Sequence, residues 1–401
     1  MDWRSQKLFP DYEINLGWVE KKMLHVFPEN KWASAKFEPV TEAGFMSYLI
    51  RIIIEYEITN KNSSKNAPKK IFIKVPNYKG AIVAWESAGV VEDECAAAQG
   101  IGTVTLMTET EGRFYSLFKN KNYNLKIPRI FYVNLDTTDN KVQCLIMEEI
   151  LDVTTVDVVE GLNKTQLYNI VDFIIQLQVL SFIENLDNPG APPEDWNNLP
   201  ITFNDYVLNA RKRYMREFPK TLGPLIESVY NECFKGIEDT EATKDICLKY
   251  KPHMCFINHG DLWTSNILFD PKDRNTIKCV VDWQLAGKTT PFEDLTYILF
   301  SCITPELRRE CQDDVFKYYY ENLKASVESH GKSLPFNYQD LVEVFYEVLP
   351  HYVNRNLFAI SIWTASPLCK TGKDDEEERI WRLNSRLKAM LEDVKEKNFF
   401  K

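Results

Sequence analysis

An α+β chain of two lobes is what the sequence predicts: a small N-terminal lobe (residues 1–150) built on an antiparallel sheet, and a larger, mostly helical C-terminal lobe (residues 151–401). Three features carry that prediction. Apolar residues recur at strand period, with helical stretches between, up to Ile150 and mainly at helical period after it. The length, 401 residues, is about two to four times the roughly 100–200 of one domain. The composition, 44% hydrophobic, 26% charged and 13% aromatic, is that of a chain with a sizeable core and excludes a disordered or low-complexity one.

From residue 36 to 76 the pattern is a β-meander: strands over 37–40, 48–58 and 71–75, joined by the Glu42-Ala43-Gly44 turn and a polar loop over 60–70. Helices are expected over 81–99 and 107–119, separated by Gly100 and Gly102. Strands resume over 129–135 and 143–150, with 137–140 as their turn. Beyond Ile150, Leu167, Ile170, Val171, Ile174, Leu177 and Leu180 predict a helix over 165–185, and the Pro-, Asn- and Asp-rich 188–200 predicts a loop. Helices then dominate, except for short β-type runs over 254–258, 267–269 and 277–282. The acidic run 374–378 reads as the solvated start of a last helix over 380–394.

Forty-eight Lys and Arg against 58 Asp and Glu give a net charge of −10, which excludes nucleic acid or an anionic membrane as the general partner. An anionic ligand must therefore be held locally, by a metal or a few placed cations. Nine cysteines, spread singly with no C-x-x-C pair, read as reduced core residues in a reducing compartment. No apolar h-region opens the chain and no uncharged apolar run of about 18 residues is seen, so a cytoplasmic protein without a membrane span is expected. No protein partner is indicated.

The densest polar constellation is His259-Gly260-Asp261, then Asn266, then Asp282 at the end of a β-type run. This H-x-D-x4-N loop with a second Asp 16 residues on is the set that phosphoryl transfer from Mg-ATP uses. One carboxylate must accept or orient the proton of the attacking hydroxyl, here Asp261. Two oxygen ligands, Asn266 and Asp282, must hold Mg²⁺ against the phosphates. A lone D-x4-N would more often be a turn, but Lys74 in Ile-Phe-Ile-Lys-Val supplies a strand cation for the α- and β-phosphates, where an edge-strand lysine is the alternative. Glu111, on a helical stripe with Phe114, Tyr115 and Phe118, is the chosen partner for Lys74, with Glu109 and Glu94 as the other candidates. Gly44 and Ser47 are expected to cover the phosphates, and Met147, Glu148 and Ile150 to border the adenine.

On His259-Gly260-Asp261-Leu262-Trp263-Thr264-Ser265-Asn266, Asp282-Trp283-Gln284, Pro291 and Glu293-Asp294-Leu295, the chain resembles the ecdysteroid-kinase-like or CHK-kinase-like family, relatives of choline kinases and aminoglycoside phosphotransferases. Asp-Trp-Gln in place of Asp-Phe-Gly, and no Lys two residues after Asp261, separate it from protein kinases. The resemblance implies a protein-kinase-like fold and ATP-dependent phosphorylation of a small-molecule hydroxyl. It also implies that His259 orients the catalytic loop and that Asp294 braces it. Glu42, where many relatives carry glycine, departs from the pattern. Aromatic residues over 204–214, 345–352 and 358–363 favour a bulky apolar acceptor such as a steroid, a terpenoid or a glycoside of one. A catalytically silent nucleotide-binding scaffold and a protein kinase are the alternatives. The first should have lost one of Lys74, Asp261, Asn266 and Asp282, and the second lacks its Ala-Pro-Glu segment.

Overall fold

The computed structural model describes residues 2–40, 46–57, 67–88, 93–118, 123–136, 142–237 and 241–400, without the side chains of 84–88, 93–94, 241–243 and 246. The chain divides into two compact units, Met1–Tyr123 with Ile127–Leu151, and Asn124–Lys126 with Asp152–Lys401.

The first unit is built on strands β1 (Trp32–Pro39), β2 (Ser47–Tyr56), β3 (Lys70–Pro76), β4 (Ile130–Asn134) and β5 (Cys144–Glu148). They form one sheet in the order β1-β2-β3-β5-β4, every neighbouring pair antiparallel. Strand alternation divides its residues between two faces. Ile50, Ile52 and Ile54 of β2, with Ile71, Ile73 and Val75 of β3, are buried in one cluster with Val19 and Met23 of α1 (Leu16–Val26). The other face carries Leu49, Lys74 and Leu145 in one cross-strand row and Arg51, Phe72 and Met147 in the next.

Helices α2 (Tyr78–Ala88) and α3 (Asp93–Phe118) complete this unit and correct the sequence reading. The helix expected over 81–99 is the end of one and the start of the other, and Gly100 and Gly102 lie inside α3 rather than between two helices. A Cβ on Gly100 would stand 3.0 Å from the Ile82 nitrogen. The glycine thus lets two helix backbones approach, and this packing outweighs its poor helix propensity of about 1 kcal/mol. No element was expected before residue 36, whereas α1 begins there on an Asn15 cap whose side chain accepts the Trp18 N–H at 2.8 Å. The expected turns over 42–44 and 137–140 lie outside the described residues.

The second unit contains α4 (Lys164–Ile183), α5 (Pro193–Asn197), α6 (Phe203–Glu217), α7 (Leu222–Ser228), α8 (Glu241–Tyr250), α9 (Glu293–Tyr297), α10 (Pro305–Ser329), α11 (Tyr338–Ala365) and α12 (Glu376–Glu396). Two small antiparallel pairs lie among them, β6 (Phe256–Asn258) with β9 (Gly287–Thr289), and β7 (Ile267–Phe269) with β8 (Ile277–Val280). One turn of helix, α5, interrupts the loop expected over 188–200. The acidic run does open α12, with Glu376, Glu377 and Glu378 in its first turn. An antiparallel sheet unit followed by a helical unit is the α+β class the sequence predicts.

Among the described residues α4 is long and apolar enough to cross a membrane by length and composition, although Asp172 keeps it from being an uncharged apolar run. Its surroundings are those of a core helix. Fully buried Gln178 donates to Asn258 Oδ1 at 2.8 Å and to the Pro291 carbonyl at 2.9 Å. The cysteines are all free, but not all in the core: Cys233 is exposed, and Cys95 and Cys255 are partly so.

Buried Arg386 of α12 closes the second unit. Its guanidinium donates to the carbonyls of Val158, Ser301 and Val159 at 2.6, 2.7 and 2.7 Å. Arg386→Met keeps the length but orphans three carbonyls, at about 1–3 kcal/mol for each that stays dry. The expected outcome is a fall of about 3 kcal/mol or more in unfolding free energy by urea titration, partly restored in Arg386→Lys.

Candidate active site

Strand register sets the cation of the first unit. Lys74 stands on β3 between Leu49 and Leu145, and its Nζ donates to Glu111 Oε2 at 2.7 Å. The side chains are 17% and 4% exposed, so the pair is held largely out of water. Glu111 is on the face of α3 that buries Phe114 and Tyr115. Of the other candidates, Glu109 pairs with Arg113 at 3.2 Å, and the Glu94 side chain is not among those described. Ser47 opens β2 opposite Pro76, and Gly44 lies outside the described residues. Met147 is opposite Phe72, while Glu148 exchanges bonds with the Arg129 backbone, donating to its carbonyl at 2.9 Å and accepting its N–H at 2.7 Å. Ile150 follows β5 at the end of the unit's chain.

In the second unit a hairpin brings the two expected metal ligands together. Ile267 of β7 pairs with Val280 of β8, and the Val281 N–H continues the ladder to the Asn266 carbonyl at 3.0 Å. Sixteen residues of chain thus return Asp282 to the neighbourhood of Asn266. The Asn266 Nδ2 donates to the Asp261 carbonyl at 2.9 Å and to Asp261 Oδ2 at 3.4 Å, which turns its Oδ1 away as the oxygen able to take a cation. Asp282 has φ +69°, a left-handed conformation rare outside glycine and a form of backbone strain found at functional sites.

The loop before Asp261 is fixed by one carboxylate. Buried Asp294 of α9 accepts the His259 N–H on Oδ2 at 2.6 Å and the Gly260 N–H on Oδ1 at 2.9 Å. Burial pushes its pKa up to about 7, opposed by the two N–H bonds. Gly260 has φ +81°, and a Cβ there would collide with the Leu285 carbonyl. His259 is fully buried, and burial pushes it down to about 4, so the ring is neutral. Its two nitrogens then have opposite roles: Nδ1 accepts the Asp261 N–H at 3.2 Å and Nε2 donates to the Val281 carbonyl at 2.9 Å. His259 thereby links the segment that carries Asp261 to the one that carries Asp282.

Two partners of this loop, Tyr297 and Arg355, were missed by the sequence reading. The Tyr297 hydroxyl donates to Asp261 Oδ1 at 3.2 Å. Arg355 of α11 donates to the Gly260 carbonyl and to Glu293, and its Cζ stands 5.0 Å over the Tyr297 ring. Glu293 also faces His351 Nε2 at 3.0 Å. Burial pushes Glu293 up, but His351 and Arg355 outweigh it and hold the carboxyl well below its usual range. Burial likewise pushes Asp261 up, to about 6, against the pull of Arg355. A lone cation among the buried residues of α11 was the available signal for Arg355. Beside Asp261, Trp263 stacks on Trp363 with ring centroids 5.1 Å apart, and Tyr297 meets Trp363 at 6.2 Å.

Among the described residues no three His, Cys, Asp or Glu side chains cluster in a way that would hold a metal by themselves. The pair Asn266 and Asp282 offers two hard oxygens instead. That donor set suits Mg²⁺, which keeps several waters and takes phosphate oxygens for its remaining positions.

The model of the DUF1679 family, described as "Uncharacterized oxidoreductase dhs-27", matches residues 33–400. A Caenorhabditis elegans protein of that same name is 23% identical over 379 residues, which are 90% of this chain and 43% of the relative. The chain therefore spans less than half the length of the curated relative it matches. Among solved structures, Plasmodium vivax ethanolamine kinase aligns over 98% of this chain and 93% of its own at 13% identity, with a TM-score of 0.40. The GDP complex of aminoglycoside 2'-phosphotransferase-IIIa aligns over 95% and 98% at 15% identity, also with a TM-score of 0.40.

Two substitutions test the bracing of the loop. Asp294→Asn turns an amide N–H₂ toward at least one backbone N–H, and Gly260→Ala forces a side chain against the Leu285 carbonyl. Each is expected to lower unfolding free energy by about 2–3 kcal/mol, read as a lower thermal midpoint. Unchanged midpoints in both would show that Asp294 does not hold the loop.

Proposed function

We propose, from the premise that the chain belongs to the DUF1679 family, which is ecdysteroid-kinase-like, that it is an ATP- and Mg²⁺-dependent phosphotransferase acting on a hydroxyl of a small organic molecule. The observation that carries this reading is the convergence of Asp261, Asn266 and Asp282, from two segments, on one braced loop. Lys74, paired with Glu111, is the cation for the α- and β-phosphates. All four residues whose loss would mark a silent scaffold are present. The name oxidoreductase belongs to a relative more than half of which this chain does not match.

Asp261 is the group that orients the acceptor hydroxyl and receives its proton. Tyr297 on Oδ1 and Asn266 on Oδ2 fix the plane of its carboxylate. Asn266 Oδ1 and Asp282 hold Mg²⁺, which when bound neutralises phosphate charge that would otherwise repel the nucleophile. His259 and Asp294 touch neither ligand and act by holding the loop. The Trp263–Trp363 stack and Tyr297 give the surroundings of Asp261 an aromatic wall, which supports an apolar, ring-bearing alcohol as acceptor. We place the protein in a reducing, cytoplasmic compartment, a reading supported by its nine free thiols.

The direct test offers the purified protein Mg-ATP and a pool of small alcohols, sugars and steroids, and reads the mass gain of a phosphate. Asp261→Ala is expected to lower kcat by about 10²–10⁴. Full activity in that variant would remove Asp261 from its role. Asp282→Ala is expected to lose Mg-dependent nucleotide binding, measured by calorimetry, with its thermal midpoint little changed. Chelation of divalent metal should abolish turnover of the wild type. A wild type that phosphorylates no acceptor and binds no Mg-ATP would sink the reading.

A further inference from the structure

Two of the nine cysteines are brought into contact. Cys247 lies near the end of α8 and Cys255 directly precedes β6, and their side chains are hydrogen-bonded to each other. The chain between them reverses through a turn of 3₁₀ helix, Pro252–Met254. Lys251 fixes both ends of the reversal. Its N–H donates to the Cys247 carbonyl at 2.8 Å, and its own carbonyl oxygen lies 3.4 Å from the Cys255 sulfur.

The surroundings make the two sulfurs unequal. Cys247 is 3% exposed, while Cys255 is partly open to solvent. A hydrogen bond from Cys255 lowers the Cys247 pKa, burial opposes it, Lys251 lowers it further and Glu347 raises it. The same hydrogen bond, with burial, pushes Cys255 up. The pair therefore gives up its first proton from Cys247. A thiolate in contact with a second thiol is the arrangement in which a first oxidation is captured by the neighbour before it goes further.

We propose that Cys247 and Cys255 are a redox site, joined by hydrogen peroxide into a reversible disulfide that clamps α8 to β6. The Cys247 thiolate attacks one peroxide oxygen, the O–O bond breaks, and the hydroxide released takes up the proton that Cys247 lost. The Cys255 thiol then attacks the sulfur of the Cys247 sulfenic acid, whose oxygen leaves as water with the Cys255 proton. Two thiols and one peroxide thus give one disulfide and two waters, the two electrons passing from sulfur to oxygen. Sulfurs already in contact close to the bonded distance of about 2.05 Å by a small shift. In a compartment that keeps thiols reduced, such a bond is transient and is undone by exchange with a dithiol.

The clamp bears on the catalytic loop. β6 runs through Asn258 directly into His259. Lys244, one turn before Cys247 on α8, is among the cations that act on Glu293, the partner of Arg355. In the disulfide form α8 cannot leave that place without β6.

The test treats the reduced full chain with a few equivalents of hydrogen peroxide, alkylates the remaining thiols and digests with trypsin without reduction. Cuts after Lys244, Lys249 and Lys272 place the two cysteines in separate peptides, 245–249 and 250–272. Mass spectrometry is expected to find these peptides joined, two hydrogens lighter than their sum, and separated again by dithiothreitol, with exposed Cys233 still alkylated. Cys255→Ser keeps a donor beside Cys247 but removes the second sulfur, so peroxide should leave a Cys247 sulfenic acid that dimedone traps. Amide hydrogen exchange over 244–250 should slow by about tenfold or more in the oxidised wild type and stay unchanged in peroxide-treated Cys255→Ser. Alkylation of both Cys247 and Cys255 at peroxide levels that oxidise Cys233 overturns the site, and that comparison needs no variant to fold. Joined peptides with unaltered exchange in α8 overturn the clamp. Neither nucleotide nor acceptor is used, so the outcome is independent of the phosphotransferase reading.

Discussion

The two N–H bonds that Asp294 receives from His259 and Gly260 are the constraint on which the second unit's site depends. A backbone that enters a left-handed turn at Gly260 exposes consecutive amides on one side, and in a buried place those amides need an acceptor. One carboxylate satisfies both. With that turn fixed, His259 is held where its ring can join the Asp261 amide to the Val281 carbonyl, and Asp261 emerges in one direction only. The burial of Asp294 is therefore useful: out of water, its bonds to the two amides are strengthened and the geometry has little room to vary.

Charge is distributed around this loop by a rule. Glu293, next to Asp294 in sequence, is met by a cation, Arg355, together with His351. Asp294 is met by backbone amides and Asp261 by a hydroxyl and an amide. Neutral donors fix a carboxylate without cancelling its charge, and Arg355 itself is turned to Glu293 and the Gly260 carbonyl. A chain with a net charge of −10 thus keeps negative potential where a divalent cation and a proton would have to be drawn in, and it keeps its nearby arginine occupied.

What could be read from the sequence follows from how far each feature depends on distant residues. His259, Asp261 and Asn266 lie within one short loop, and the β-type run before Asp282 announces a hairpin return, so their proximity is almost local. Glu111 was legible because helical spacing puts it on the stripe of Phe114 and Tyr115. Tyr297 is 36 residues from Asp261, and Arg355 is 95 from Gly260, each on a helix whose pattern reports only burial. Gly100 misled for a related reason. Its propensity argues for a break, while its use is a close approach to Ile82 that no local pattern contains. The helix α1 escaped because its apolar stripe is short, and its place is fixed by contacts such as Arg4 with Glu20 and by the sheet it covers.

The same contrast explains why Glu149 was passed over although its neighbours Met147, Glu148 and Ile150 were singled out. In sequence, Glu148 and Glu149 are two equivalent acids at a strand end. Strand alternation separates them: Glu148 pairs back onto the Arg129 backbone, and Glu149 falls on the face that carries Phe72 and Lys74. Arg51, which looks like a surface residue of a half-exposed strand, is drawn over Phe72 by that carboxylate. An ion pair laid across an aromatic ring leaves its outer surface flat and its free oxygen dry. Neither property helps the sheet to fold, since Leu, Val or Ile at these positions would cover the strands without an unsatisfied atom.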